Sequence, residues 1–512
     1  MPRPAGIAGF SGATRVHPHG TITHDVYRST GGLLRHGRPR VRLSGRTARR
    51  GTQEYVVNID VERIHQTALA LLDDPGVRME HDEICSLLLS HGAREGKSTN
   101  VIRFPAELIQ EALSLCPSTF QLADRLNAGK QVSPDGESVI WSVPGMNIHE
   151  DGAARPFTSR DLPRWARLLH YLPNVDGIFS FAMEDVPPKA RDVVGLNIIS
   201  RNSTKHIRVF CFSPEGAETM VRMKQVVGNF PWFSIGFTAH GPLRWTNLAL
   251  EIFRRTAGAG IPVTVNGEPM AGVSGPVTLA GSCAVGTAEI LAGIVVNQLL
   301  EPGRPCIFNL GLAHTFDMRT AIAVTGGPEN ALYAAAAAAL GRLYAIPSSS
   351  WVSTESMAPD SQAALEKMFG FATHLQNRVS VVWSVGQLES EITVSPAQAV
   401  LDDEMIAFTR RYLRGMEVSD ETLAIDVIRE TGIAGSFLEH AHTMEHFRSE
   451  LFEPHVLFRQ RRADWHARGC PTAAETAAET ARRLAGLEPH SGLSEQQLGD
   501  LAKLTDEFLK QV

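Results

Sequence analysis

The sequence predicts an α/β fold: a single (β/α)8 TIM barrel with a helical N-terminal cap and a helical C-terminal extension. Three observations carry that expectation. Short β-branched or aromatic runs alternate eight times with amphipathic stretches of helical period, as consecutive parallel β-α units do. These units fill about 280 residues, the usual size of one closed barrel. No glycine-rich dinucleotide turn follows the first strand, as a doubly wound sheet often shows.

Residues 1–52 stand apart. They are rich in Gly, Arg and Ser, carry Arg35, Arg38, Arg40, Arg42, Arg46, Arg49 and Arg50 with few acids, and lack the apolar stretch of a secretory signal. A basic, disordered arm is expected there. Residues 53–135 read as the cap: Ile59, Val61, Ile64, Ala68 and Leu71 recur at helical spacing, His81 to His91 repeats the pattern, and Pro105 opens a third helix over Ala106 to Leu115.

Residues 136–415 hold the barrel. Strands are expected at Val139–Val143, Val175–Ala182, Ile207–Phe212, Phe233–Ala239, Pro262–Asn266, Cys306–Leu310, Ser348–Ser353 and Val379–Ser384, each followed by a helix. Residues 416–512 turn helical and charged, with helices over Asp420–Arg429, Ala473–Leu487 and Ser494–Lys510 packing outside the barrel.

A net charge of −6 argues against nucleic acid as the main partner, which needs a basic surface. Six scattered cysteines without CxxC pairs read as reduced thiols of a cytoplasmic protein. The longest apolar stretches, such as Ile290 to Leu300, fall well short of the roughly 20 residues of a membrane span, so none is expected. A homo-oligomer is the default expectation.

Several stretches of this chain resemble the trimethylamine methyltransferase family, from about Ile59 to Trp465: Gly76-Val77-Arg78, Asn174-Val175-Asp176, Pro242-Leu243-Arg244-Trp245, Pro269-Met270-Ala271-Gly272, Pro276 to Gly281, Asp317-Met318-Arg319-Thr320, and Leu423 to His446. The resemblance implies a barrel that takes a methyl group from a methylated amine and passes it to cobalt(I) of a separate corrinoid protein, with no tightly bound cofactor of its own. Members acting on trimethylamine carry pyrrolysine. This chain is continuous in standard residues, so it is similar to pyrrolysine-lacking members such as glycine betaine methyltransferase. A quaternary nitrogen leaves as a neutral amine, so positioning and exclusion of water suffice.

Barrel chemistry sits at the C-terminal strand ends. There the sequence places Asn147, His149, Glu184, Asp185, Ser213, His240, Asn266, Glu268, Asn309, His314, Trp351, Glu355, Trp383, Gln387 and Glu389. A quaternary ammonium has no donor to offer and is recognised by aromatic faces and diffuse negative charge. Trp351, Trp383, Phe237 and Phe316 are the aromatic candidates, and Glu268, Glu389, His314 and His240 the candidates for the reacting centre. Asn266, Glu355 and Gln387 complete the polar lining. Glu268 departs from the family pattern, where the position before Pro269-Met270 is apolar or aromatic, which suggests a different substrate. A substrate carboxylate would need an arginine fork, and Arg319 or Arg208 could supply it.

Two rivals stand beside this reading. His240, His314 and Asp317, with Cys283 or Cys306, are zinc-type ligands, and zinc would assist methyl transfer from an alcohol, thiol or methoxy compound. The spacing matches no standard zinc motif, so no metal is assigned. A non-catalytic barrel that binds a quaternary amine is the other rival. His440, His442 and His446 form an H-x-H-x3-H run read as structural or as part of a corrinoid-protein contact. Gly326-Gly327 before Pro328 reads as a tight turn rather than a phosphate cradle.

Overall fold

The computed structural model describes residues 57–512, so the basic stretch 1–52 lies outside the described residues. Eight parallel strands close a barrel: β1 Val139–Ser142, β2 Gly177–Phe179, β3 His206–Arg208, β4 Phe233–Thr238, β5 Val263–Asn266, β6 Cys306–Gly311, β7 Ser348–Trp351 and β8 Val381–Val385. They neighbour one another in chain order, and β8 closes on β1 with Trp383 opposite Trp141. Every residue of β5, β6, β7 and β8 is buried. Strands covered on both faces read as apolar runs without alternation, which is why the sequence exposes them.

The shell is α1 Leu162–Tyr171, α2 Arg191–Asn202, α3 Pro214–Val227, α4 Asn247–Thr256, α5 Leu279–Leu300, α6 Pro328–Leu343, α7 Ser361–Gln376 and α8 Pro396–Arg414. Local chemistry sets their ends. Ser213 and Ser395 cap α3 and α8 by accepting from Gly216 and Gln398 N–H, and each is followed by a proline at the first helical position. Gly415, at φ 75°, stops α8. Helix α5, at 22 residues, is long and apolar enough to cross a membrane, yet 83% of its most apolar window is buried inside the fold.

The cap contains the three expected helices, at Val61–Asp73, Asp82–Ser90 and Ala106–Leu115. It also contains short strands that the sequence did not suggest. Val77–Met79 pairs with Val101–Arg103 and, in parallel, with Arg244–Trp245 from the loop after β4. The Pro242–Trp245 motif therefore ties cap to barrel, and Trp245 anchors it by donating its indole N–H to the Glu289 carbonyl at 3.1 Å. After α8, helices Ala473–Ala485 and Glu495–Leu509 pack outside the barrel, the first along α8 and α1 and the second along α2 and α3.

The turn leaving β8 is held by a buried ion pair. Lys367 Nζ of α7 lies 2.7 Å from Asp402 Oδ2 of α8, with both side chains fully buried. The ammonium also donates to the Ser384 carbonyl at 2.7 Å, while Asp402 accepts from Gly386 N–H at 2.7 Å and from Gln398 Nε2 at 2.8 Å. Burial lowers the Lys367 pKa and raises that of Asp402, and each charge opposes the shift of the other. Lys367→Met should therefore cost about 3–5 kcal/mol, because it strands a buried carboxylate. Lys367→Met with Asp402→Leu should be less destabilised than the single change, as urea unfolding of the three proteins will show.

Candidate active site

At the C-terminal end of β3 the Arg208 side chain runs into the barrel interior. Its guanidinium carbon lies 4.9 Å from the Phe179 ring centroid and 5.7 Å from that of Trp383, and Nη2 donates to Thr264 Oγ1 at 2.9 Å. Nη1 donates to the Val209 carbonyl. Nε has no partner, and no carboxylate among the described residues forms an ion pair with Arg208. Burial lowers its pKa to about 9, so it stays charged at neutral pH. Gly236 of β4 makes the room: a Cβ there would lie 1.8 Å from Arg208 Nη2. Trp383 stacks on Trp141 at 6.3 Å and meets Phe179 edge-on at 5.1 Å, forming an aromatic wall beside the guanidinium.

Above this layer a polar ladder crosses three strand ends. Asn309 Nδ2 donates to Asn266 Oδ1 at 2.8 Å, and Asn266 Nδ2 donates to Thr238 Oγ1 at 3.0 Å. Beyond Asn266 lies Glu268, whose side chain solvent still reaches although protein surrounds it, as in an open cavity. Burial raises its pKa to about 7. Glu391 is pushed well above the usual carboxylate range, first by burial and then by the charge of Glu268. Glu289 of α5 is fully buried, accepts from Leu243 N–H at 2.8 Å, leaves Oε2 without a partner, and is raised to about 7 by burial with a further contribution from Glu268. None of the three carboxylates pairs with Lys or Arg among the described residues.

Glu391 is not among the residues the sequence offered, although Glu389, two positions earlier, is. The structure explains the choice of residue. Glu389, Ser390 and Glu391 have φ of 53°, 49° and 80°, three consecutive non-glycine residues in the left-handed region, each costing of order 1 kcal/mol or more. Glu389 is half-buried and accepts from Thr393 Oγ1 at 2.5 Å, which ties it to the turn rather than to Glu268.

The other candidates separate into wall and frame. His314 is buried, its Nδ1 lies 2.7 Å from the Leu312 carbonyl, and its ring is 6.4 Å from that of Trp351. Burial lowers its pKa, leaving a neutral ring whose Nε2 can only accept. Trp351 donates its indole N–H to the Asn330 side chain at 2.9 Å. Phe316 is half-buried on a three-stranded sheet built by the loops after β5 and β6. Glu355 Oε1 accepts from Thr325 N–H at 2.6 Å and Gly326 N–H at 2.8 Å, so it staples the Gly326-Gly327 turn. Gln387 is buried, bonded to the Val352 carbonyl at 3.0 Å and Glu391 N–H at 2.9 Å, and so holds the Glu391 turn in place.

Three expectations need correction. Phe237 stacks on Phe253 of α4 at 3.6 Å and faces the helix layer, not the barrel interior. Arg319 is 89% exposed and engaged by Asp317 at 2.9 Å, and this pairing holds the Asp317 carboxyl at about 2. His240 is exposed, with Nδ1 3.2 Å from the Thr238 carbonyl. The zinc-type residues do not converge. Cys306 starts β6 at the opposite end of the barrel, its thiol 3.6 Å from that of Cys116, and no group of three or more His, Cys, Asp or Glu among the described residues has metal-binding geometry.

The site thus combines one uncompensated cation and three uncompensated carboxyl groups. The carboxyls accept a cationic ligand only when ionised, so affinity should rise with pH. For tetramethylammonium, calorimetry should show binding that strengthens as pH climbs toward about 7 and then flattens, by up to about tenfold per unit below the plateau. Glu268→Gln should flatten that profile, and an unchanged profile would exclude Glu268 from the ligand.

A family model described as trimethylamine methyltransferase (MTTB) matches residues 36–502. A trimethylamine methyltransferase of Desulfitobacterium hafniense is 30% identical over 434 residues, covering 82% of this chain and 86% of that protein. One of Methanosarcina barkeri is 30% identical over 465 residues, covering 85% and 92%. A glycine betaine methyltransferase of Desulfitobacterium hafniense is 29% identical over 421 residues, covering 79% and 87%. Among solved structures, the monomethylamine methyltransferase of Methanosarcina barkeri superposes with a TM-score of 0.49 at 13% identity, covering 86% of this chain and 87% of that one.

Proposed function

The chain belongs to the trimethylamine methyltransferase family, and from that premise we propose that it transfers a methyl group from a quaternary, carboxylate-bearing amine of the betaine class to cobalt(I) of a separate corrinoid protein. The observation that carries the substrate class is the division of charge in the barrel. Arg208 is buried without an acid, and Glu268 with Glu391 and Glu289 is gathered without a base. A buried, unpaired ion is expensive, and a zwitterion offsets both ends at once.

Cobalt(I) supplies the electron pair that bonds to the methyl carbon. The carbon–nitrogen bond breaks, its electrons stay on nitrogen, and a tertiary amine with an uncharged nitrogen leaves, still carrying its carboxylate, with no proton gained or lost. The chain's side chains therefore bind, orient and exclude water. Arg208 grips the carboxylate with Thr264 and the aromatic wall fixing its plane, and Glu268 and Glu391 offset the ammonium charge. Trp351, Trp383, Phe316 and His314 shape the mouth. The corrinoid protein docks over the mouth, because one methyl group must face outward. We place the reaction in the cytoplasm, in keeping with six free cysteines.

Purified protein with cob(I)alamin should form methylcobalt from carboxylate-bearing quaternary amines such as glycine betaine or carnitine. A cobalt(I) spectrum unchanged by the whole panel would sink the activity. Arg208→Lys should raise KM for these substrates about thirtyfold or more, since a two-point charged contact is worth roughly 2 kcal/mol or more. The KM for choline, which lacks the carboxylate, should hardly move, and equal effects on both would remove Arg208 from substrate recognition.

A further inference from the structure

We propose that Cys116 and Cys306 form an oxidation site for small hydroperoxides, in which Cys116 reacts first and Cys306 then closes a reversible disulfide between the cap and the barrel. Cys116 follows the last cap helix, Ala106–Leu115, and Cys306 opens β6 at the end of the barrel away from the mouth. They are 190 positions apart in the chain, yet their sulfurs lie 3.6 Å apart, in van der Waals contact. Cys85 instead donates to the Met79 carbonyl at 3.2 Å, and Cys470 lies 3.1 Å from His466 Nδ1. Cys116 with Cys306 is the one hydrogen-bonded pair of thiols among the described residues.

Gln298 of α5 holds the two sulfurs together. Its Nε2 donates to Cys116 Sγ at 3.3 Å and to the Arg304 carbonyl at 2.9 Å, while its Oε1 accepts from Gly303 N–H at 2.8 Å. Arg304, fully buried, donates Nε to the Ile261 carbonyl at 2.9 Å and fixes the turn that carries α5 into β6. The last cap helix packs along α5 as well. Helix, turn and strand thus bring a cap thiol against a barrel thiol.

Exposure sets the order of events. Cys116 is half-buried and Cys306 fully buried. The hydrogen bond to Cys116, and then burial, hold the Cys306 thiol well above the usual range, so it keeps its proton. Attack comes from a thiolate that the reagent can reach, which is Cys116. Its sulfur bonds to one peroxide oxygen as the oxygen–oxygen bond breaks; the other oxygen keeps the electron pair, takes up the proton the thiol gave, and leaves as water. Cys116 is then a sulfenic acid. The Cys306 sulfur attacks that sulfur, the sulfur–oxygen bond breaks, and the hydroxyl leaves as water with the Cys306 proton. Two thiols are oxidised and one peroxide is reduced. A second thiol already in contact stops the oxidation at the disulfide, short of the irreversible acids. Disulfides of this transient kind are the ones found in a reducing compartment. The bond would close a loop of 190 positions and so restrict the unfolded chain.

The full chain treated with hydrogen peroxide and digested without reduction should yield a peptide pair that joins Cys116 to Cys306, two hydrogens lighter than its parts, which dithiothreitol separates. The melting temperature should rise by about 5 °C on oxidation and fall back on reduction. Cys306→Ser should stop at the Cys116 sulfenic acid, which dimedone captures as an added mass. Cys116→Ser should leave Cys306 a free thiol and abolish the rise in melting temperature. This second variant changes a half-buried residue by a single atom and keeps the test valid should Cys306→Ser not fold. Oxidised wild type without the linked peptides, or Cys306 oxidised as readily in Cys116→Ser as in wild type, overturns the proposal. No arm reads methyl transfer, so this test can fail while the enzymatic reading stands.

Discussion

Charge taken out of water must be matched, and the Lys367–Asp402 pair between two shell helices is where the chain does this with its own residues. At 2.7 Å, with both partners fully buried, the pair ties α7, α8 and the end of β8 together. Asp402 fixes Gly386 and Lys367 reaches toward the Gln387 carbonyl at 3.3 Å. The left-handed turn of Glu389 to Glu391 begins two residues further on. A turn with three strained residues persists only where its surroundings hold it: Gln387 accepts from Glu391 N–H, the Ser356 and Thr354 carbonyls accept from Glu389 and Ser390 N–H, and the ion pair anchors the strand end that leads into the turn.

The mouth uses the same physics with the matching left undone. Arg208 is as deeply buried as Lys367, and the interior has been cleared for it at Gly236, but aromatic faces and a hydroxyl stand where an acid would be. On the far side three carboxyls share one region, and burial, with the charge of Glu268 added for Glu289 and Glu391, raises all three above the usual carboxylate range. Structural ion pairs elsewhere in the shell are closed, as Arg155 with Asp161 at 2.8 Å illustrates. The contrast separates groups that hold the fold from groups that await a ligand.

The eight strands were legible because parallel strands buried on both faces give uninterrupted β-branched and aromatic runs. That same burial hid which residues point inward. Phe237 and Trp383 look alike in a strand apolar on both faces, yet Phe237 packs on Phe253 and Trp383 lines the interior beside Arg208. The choice between Arg319 and Arg208 was equally closed to the sequence, since it depends on Asp317 engaging Arg319 and on space left by Gly236. Glu391 follows from a backbone conformation that no residue type there announces. The cap's sheet was missed because its strands are two or three residues long and one partner, Arg244–Trp245, comes from a barrel loop far along the chain.

A reaction that moves no proton asks little of acid–base groups and much of placement. On this reading the raised carboxyls act as an adjustable counter-charge: neutral groups tolerate the empty site, and the arriving ammonium draws out their ionised form. Arg208 sets depth, since a carboxylate gripped there at the level of β3 leaves the ammonium toward the ladder and Glu268, with one methyl facing outward. That arrangement requires the mouth to stay open to a large partner.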